Sequence, residues 1–400
     1  MAIMAKNSIM ELADSVLART YGRQPLCLVR GEGCTVWDSE GKSYLDFVAG
    51  LAVCILGHSH PAVARAVADQ AAKLVHVSNI FYTEPQARLA SWLVANSFAD
   101  RVFFCNSGAE ANEAAIKIAR KFAKDSGRPE RYRVLATRGS FHGRTLATLS
   151  ATGQEKIHHG FEPLVDGFDH VPFNDLAAAQ KAVGDKTCAI LVEPIQGEGG
   201  VCMPGPGYLA GLRKLCDDEG ILLIFDEVQT GMGRTGRLFA HEHFKVFPHV
   251  MTLAKGLANG LPIGAMLAEE RVAASFTPGT HATTFGGTPL VCAGALAVVN
   301  TLDEQGVLAQ CRQTGEYLKG RLKEIAVQRP VVKEVRGLGL MLGMELSVSG
   351  LPVVDAMREK GFLINCTQDK VLRFLPPLIV SKEEVDAMIP ALDKALGTLV

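Results

Sequence analysis

The ten cysteines of this 400-residue chain (27, 34, 54, 105, 188, 202, 216, 292, 311 and 366) include no Cys-x-x-Cys pair. Zinc sites and disulfide frameworks are built on close cysteine spacing, so neither is expected, and no metal site is. The scatter fits a reducing cytoplasm with most thiols as small buried residues. No apolar run reaches the roughly 18 residues of a membrane span. Residues 1–11 lack the apolar core of a secretory signal. The net charge is −1, and no basic stripe is interleaved with aromatics. Nucleic acid and membrane are therefore not expected partners. There is no low-complexity segment and no internal repeat. Two nucleotide motifs are also missing: no Gly-x4-Gly-Lys-Ser/Thr loop occurs, and no Gly-x-Gly-x-x-Gly opens an early helix.

The chain is too long for one typical core, which suggests a large domain with a smaller one. Its 48 % hydrophobic and 21 % charged residues describe an ordinary folded protein. Forty glycines cluster in short runs beside apolar segments. That placement implies tight strand-to-helix loops.

Residues 9–19 read as a helix, 35–37 and 43–47 as a hairpin, and 61–73 as a helix with proline in its first turn. From about 86 onward, helical segments alternate with fully apolar strands at 102–105, 133–136, 188–192 and 221–225, with 262–268 as one more. Continuous apolar strands between helices imply a mostly parallel sheet covered on both faces. After 290, long helices lead to a strand-like stretch at 335–345, a helix at 354–360, strands at 363–365 and 371–374, and a last helix at 382–396. The expected organisation is a small-domain segment at 1–54, a large α/β domain at 55–285 and a C-terminal small α+β domain at 286–400 that packs with the N-terminal hairpin.

Ligands of open α/β sheets bind beyond the carboxyl ends of the strands. The strand 221–225 ends in Asp226-Glu227, and Lys255 lies between an apolar run and Gly256-Leu257-Ala258-Asn259-Gly260. A lysine to bond an aldehyde and an aspartate to keep a ring nitrogen protonated are what a pyridoxal phosphate site needs. Cys105-Asn106-Ser107-Gly108-Ala109-Glu110 joins a strand to a helix. It can present backbone N–H groups to a phosphate, or serve as a helix cap with Ser107 and Glu110. Ser140-Phe141-His142-Gly143-Arg144-Thr145 offers an aromatic face and a carboxylate fork, or a plain surface turn. Glu193 and Glu198 stand in a glycine-rich loop after a buried strand, where two carboxylates are unusual. Thr283-Thr284-Phe285-Gly286-Gly287 puts hydroxyls on a loop. Arg373 sits in an apolar strand and needs a partner.

Together these segments, with Gly57-His58-Ser59-His60-Pro61 and Leu372 to Pro377, resemble the class III (subgroup II) aminotransferases, fold-type I pyridoxal phosphate enzymes, over nearly the whole chain. The resemblance implies that Lys255 carries the cofactor and shuttles a proton while Asp226 pairs with its ring nitrogen. Phe141 and Val228 would cover the two ring faces, with Gln229 near the ring 3-oxygen. Ser107, Gly108 and Ala109 would hold the phosphate, with Thr284 reaching in from a partner subunit of a homodimer. Arg144 would take a distal carboxylate and Arg373 the α-carboxylate of glutamate. Glu198 would neutralise Arg373 when no carboxylate is present, and Thr283 would contact substrate. The implied reaction passes the terminal amine of N2-acetyl-L-ornithine to 2-oxoglutarate, giving L-glutamate. Other ω-amines (succinyl-diaminopimelate, succinylornithine, ornithine, 4-aminobutyrate) are the alternative donors. A same-fold isomerase is the alternative of another class, and the Glu198–Arg373 pair argues against it. Two departures from the family pattern are Ala109, where many relatives have threonine, and His249, where the family usually has aspartate.

Overall fold

A computed structural model describes residues 6–399. A seven-stranded sheet organises the chain. Its order is Arg101–Cys105, Gly264–Ala268, Val250–Leu253, Leu222–Asp226, Thr187–Val192, Arg133–Thr137 and Phe168–Val171. Five neighbours, from Val250–Leu253 to Phe168–Val171, run parallel. Gly264–Ala268 is antiparallel to both strands beside it.

Alternation along the central strands sorts side chains to two covered faces. Ala189, Leu191, Leu222 and Ile224 pack with Ala114, Ile118 and Ala119 of the helix Gly108–Asp125. Ile190, Val192, Leu223 and Phe225 pack with Leu209, Leu212 and Cys216 of the helix Tyr208–Glu219. Each fully buried large apolar side chain contributes about 1.5–3 kcal/mol. The apolar runs read from the sequence are therefore the strands covered on both faces.

Two strands of the large sheet were not expected. Phe168–Val171 is a half-buried edge strand carrying Asp169 and His170, so it shows no apolar run. Val250–Leu253 is four residues long and is interrupted by Thr252. The stretch expected as one strand at 335–345 is a hairpin, Val332–Leu338 with Met341–Leu346, which turns at Gly339 in the left-handed region (φ 54°). The first helix spans Lys6–Val16, three residues earlier than expected.

Two smaller sheets complete the fold. One has the order Leu28–Glu32, Thr35–Asp38, Ser43–Asp46 and Phe362–Leu363, so an N-terminal hairpin takes a parallel strand from the far end of the chain. The other has the order Val332–Leu338, Met341–Leu346, Val371–Phe374 and Asn365–Thr367. Among the described residues no helix is long and apolar enough to cross a membrane. No group of three His, Cys, Asp or Glu among them is placed to hold a metal ion.

Candidate active site

Asp226 closes the strand Leu222–Asp226 at the carboxyl edge of the large sheet and is buried. Its Oδ1 accepts from the Val228 N–H at 3.0 Å. Its Oδ2 accepts from Asn112 Nδ2 at 2.7 Å and lies 2.8 Å from His142 Nδ1. Asn112 in turn donates to the His142 carbonyl and accepts from the Thr252 hydroxyl, so its orientation is fixed from both ends. A buried carboxylate with this many partners is held in one orientation.

Lys255 follows the strand Val250–Leu253 by two residues. It adopts φ 41°, a left-handed conformation uncommon for a side chain of this size. Burial pushes its amine below the ordinary lysine range, and the nearby Arg373 charge adds to that, against the raising effect of Glu198. An amine lowered in this way is a better nucleophile near neutral pH.

A cavity of about 430 Å³ opens between these two groups. Ten of the residues singled out in the sequence line it: Ser107, Gly108, Ala109, Phe141, Arg144, Glu198, Asp226, Val228, Gln229 and Lys255. Three do not. Arg373 lies behind Glu198. Thr283 Oγ1 accepts from Asn106 Nδ2 at 3.2 Å, beside the cavity, and Thr284 is exposed.

The helix-cap reading of the 105–110 segment is realised. Ser107 caps the helix Gly108–Asp125, its Oγ accepting from the Glu110 N–H at 3.2 Å. The Glu110 carboxylate accepts from the Asn106 N–H and side-chain amide at 2.9 and 2.7 Å. The first-turn amides of Gly108 and Ala109 still face the cavity at the positive end of an 18-residue helix, which suits a phosphate. On the facing loop the Arg144 guanidinium lies 5.6 Å from the centroid of the Phe141 ring.

The far wall carries the charges. Arg373 has no exposed surface, and its Nη1 donates to Glu198 Oε1 at 2.7 Å and to Gln229 Oε1 at 3.2 Å. Gln229 Nε2 donates to the same Glu198 oxygen at 3.3 Å. Burial alone would raise the Glu198 carboxyl, but Arg373 outweighs it and holds Glu198 below the usual carboxylate range. Arg373 Nη2 is buried with no partner among the described residues.

Sequence reasoning underrated three neighbours. Glu193 is buried in the cavity wall, where its oxygens accept from the N–H groups of Phe141 and Gly197 at 3.2 Å each. Burial, then repulsion from Asp226, pushes it up to about 8. Asn112 and His142 hold Asp226. Glu193 and His142 stood in quoted motifs without a role, and Asn112 could have been found as a polar residue on the apolar face of a helix.

The donor set fits pyridoxal phosphate. Helix-start amides suit its phosphate, an aromatic and a valine line the same cavity, a fixed carboxylate suits a protonated ring nitrogen, and a buried amine suits an aldehyde. Fold and site together define a pyridoxal phosphate-dependent transferase. The profile of the family described as Aminotransferase class-III matches residues 16–396. An acetylornithine aminotransferase of Methanocaldococcus jannaschii is 51 % identical over 98 % of this chain and 98 % of its own. An N-acetylornithine aminotransferase structure from Stenotrophomonas maltophilia is 40 % identical, with a TM-score of 0.84 over 98 % of this chain and 99 % of that one. An ornithine aminotransferase structure from Toxoplasma gondii, described with partial occupancy of PLP at its active site, is 34 % identical, with a TM-score of 0.94 over 98 % and 94 %. The chain belongs to the class-III aminotransferases, which use pyridoxal phosphate to move amino groups.

Proposed function

We propose that this enzyme transfers the terminal amine of N2-acetyl-L-ornithine to 2-oxoglutarate in two alternating half-reactions. The products are N-acetyl-L-glutamate 5-semialdehyde and L-glutamate, and the reaction serves arginine biosynthesis in the cytoplasm. The observation that carries this reading is the Glu198–Arg373 pair on the wall of the Lys255 cavity. A ω-amine brings no carboxylate close to its reacting carbon, and the pair then satisfies itself. Glutamate and 2-oxoglutarate bring one, which displaces Glu198 from Arg373. An enzyme that returned its amine to the same carbon skeleton would need no such exchange. Names support the donor: relatives about half identical over nearly the full length are acetylornithine aminotransferases.

The chain's own groups divide the work. Ser107, Gly108 and Ala109 hold the phosphate, Phe141 and Val228 sandwich the ring, and Gln229 sits by the ring 3-oxygen. Bound there, the cofactor supplies an aldehyde that takes up the amine and a ring that withdraws electrons. Asp226 keeps a proton on the ring nitrogen. Lys255 Nζ would take up the proton released by the substrate carbon and hand it on to the aldehyde carbon of the cofactor, two atoms along. Arg144 receives the distal carboxylate, at the open side of the cavity, and Thr283 contacts substrate beside it.

The site is proposed to be completed by a second copy of the chain. Thr284 and Phe285 are exposed beside the cavity, and Ile80, Phe81 and Tyr82 form an exposed apolar run. In the proposed homodimer Thr284 reaches the partner's phosphate, and a fully active monomer in sedimentation would refute this. The large domain is assigned to 55–285, with 1–54 and 286–400 forming the small one. Residues 1–5 and 400 of that assignment lie outside the described residues. The donor is tested by kcat/KM for acetylornithine, ornithine, succinylornithine, succinyl-diaminopimelate and 4-aminobutyrate. A preference for any amine other than acetylornithine overturns the assignment.

A further inference from the structure

Arg234 has no exposed surface, and among the described residues no carboxylate forms an ion pair with it. Burial pushes its guanidinium down to about 10, which still leaves it cationic at neutral pH. A buried cation without a counter-ion is costly to fold around, so its contacts need an account.

Its side-chain hydrogen bonds all come from Nη1, while Nε and Nη2 find no partner among the described residues. Arg234 Nη1 donates to the carbonyls of Leu340 at 3.0 Å and Pro376 at 2.6 Å. The Arg234 carbonyl accepts from the Leu340 N–H at 3.1 Å. Leu340 immediately precedes the strand Met341–Leu346, and Pro376 follows Val371–Phe374 by two residues. These strands are antiparallel, with Leu342 opposite Phe374 and Gly343 opposite Arg373. Continuing that register sets Leu340 opposite Pro376, just past the end of the ladder. One planar nitrogen thus closes the ladder where its own hydrogen bonds stop.

Backbone contact fixes the same point. A Cβ on Gly339 would lie 2.4 Å from the Thr235 carbonyl carbon and 2.8 Å from the Gly236 nitrogen. The loop after Asp226 and the turn before Met341 therefore touch main chain to main chain. That loop also carries Gln229, whose Oε1 accepts from Arg373 Nη1. Arg373 is thus held to the loop twice, by its own side chain through Gln229 and by the end of its strand through Arg234.

We propose that Arg234 is a positioning residue for the oxo-acid half-reaction: its grip on Leu340 and Pro376 sets where Arg373 stands relative to Asp226 and Gln229. This rests on the proposed role of Arg373 as receptor of the α-carboxylate. The ω-amine half-reaction depends on Arg144, on the 140–145 segment, which Arg234 does not touch. A guanidinium suits the task because its N–H groups are coplanar and rigid, whereas an ammonium offers rotating donors.

The test uses holoenzyme with Arg234→Lys, Arg234→Met, Arg373→Ala and the double variant Arg234→Met/Arg373→Ala, in single-turnover measurements of each half-reaction. Misplacing a binding group by about 1 Å costs about 10²-fold. Arg234→Met is expected to lower the 2-oxoglutarate step by about 10- to 100-fold, chiefly through weaker saturation, and the acetylornithine step by less than about threefold. Arg234→Lys should fall between, and Arg234→Met should add nothing once Arg373 is alanine. If Arg234→Met does not fold, Arg234→Lys carries the same test. Equal losses in both half-reactions, or additivity with Arg373→Ala, overturn the proposal while the role of Arg373 stands. If Arg373→Ala itself spares the 2-oxoglutarate step, that role falls and this inference with it.

Discussion

Arg373 Nη1 and Glu198 Oε1 lie 2.7 Å apart, the arginine wholly buried and the glutamate at the cavity wall. In the proposed reaction the pair stays closed in one half-reaction and opens as a receptor in the other. Removing one partner of a buried charge pair costs roughly 2–5 kcal/mol. Arg373→Ala should therefore lower kcat/KM for 2-oxoglutarate by about 10²–10³-fold and that for acetylornithine by less than about tenfold. Glu198→Ala should do the reverse. It leaves Arg373 unpaired when acetylornithine binds, and it removes the competitor when glutamate does. Equal losses for both substrates in either variant would show that the two carboxylates do not share this site.

In the proposed mechanism Lys255 supplies both the covalent hold on the cofactor and the mobile proton. Positioned acid–base groups contribute about 10²–10⁴-fold, and the covalent role adds to that, so Lys255→Ala should lose at least about 10⁴-fold in kcat. Borohydride treatment followed by peptide mapping gives a direct check. In the unaltered enzyme the cofactor should become fixed to the peptide containing Lys255. A label on that peptide of Lys255→Ala, or on any other lysine of the unaltered enzyme, would remove Lys255 from the mechanism.

What could be read in the sequence depended on whether a residue's meaning was local. Asp226 stood out because a charge ends an apolar run, and Lys255 because glycines follow it. The central strands were legible because burial on both faces leaves an unbroken apolar stretch. Asn112 gained its role only by meeting Asp226, 114 residues away. Glu193 looked like one of two loop carboxylates, and its burial depends on a Phe141 N–H from another strand end. Arg234 stands among glycines in the sequence, with no apolar run beside it. Nothing local indicated that two carbonyls more than a hundred residues away would enclose it. The turn at Gly339 was hidden because apolar residues continue through it on both sides.

Glu193 should give the protein a pH signature. Its folded value is raised from 4.5 to about 8, so the folded state keeps a proton that the unfolded chain releases. The stabilising contribution is fully present below about 4.5 and is lost as pH rises through about 8. Glu193→Gln keeps a neutral group of the same shape without that proton. Thermal unfolding followed from pH 5 to 8 should fall with a shallower slope in Glu193→Gln than in the unaltered protein. Parallel slopes would mean that Glu193 is ionised in the fold.

Gly108 opens the helix whose first amides face the cavity, and a Cβ there would lie 2.8 and 2.9 Å from the two methyl carbons of Val228. Two effects compete in Gly108→Ala. Alanine favours helix over glycine by at most about 1 kcal/mol. Overpacking a fitted contact costs about 1–3 kcal/mol. Val228 is branched at Cβ and cannot swing its methyls away without leaving its rotamer, so the clash should win. The displaced methyls would move into the space proposed for the ring. Cofactor affinity should accordingly fall by about tenfold, equivalent to about 1.4 kcal/mol, and the cofactor-free protein should lose no more than about 2 kcal/mol of stability. Val228→Ala removes the colliding methyls, so Gly108→Ala/Val228→Ala should bind the cofactor no worse than Val228→Ala alone. Titration of the four proteins with pyridoxal phosphate measures this directly. An unchanged Kd in Gly108→Ala, or an additive loss in the double variant, would show that Val228 does not pack against the ring.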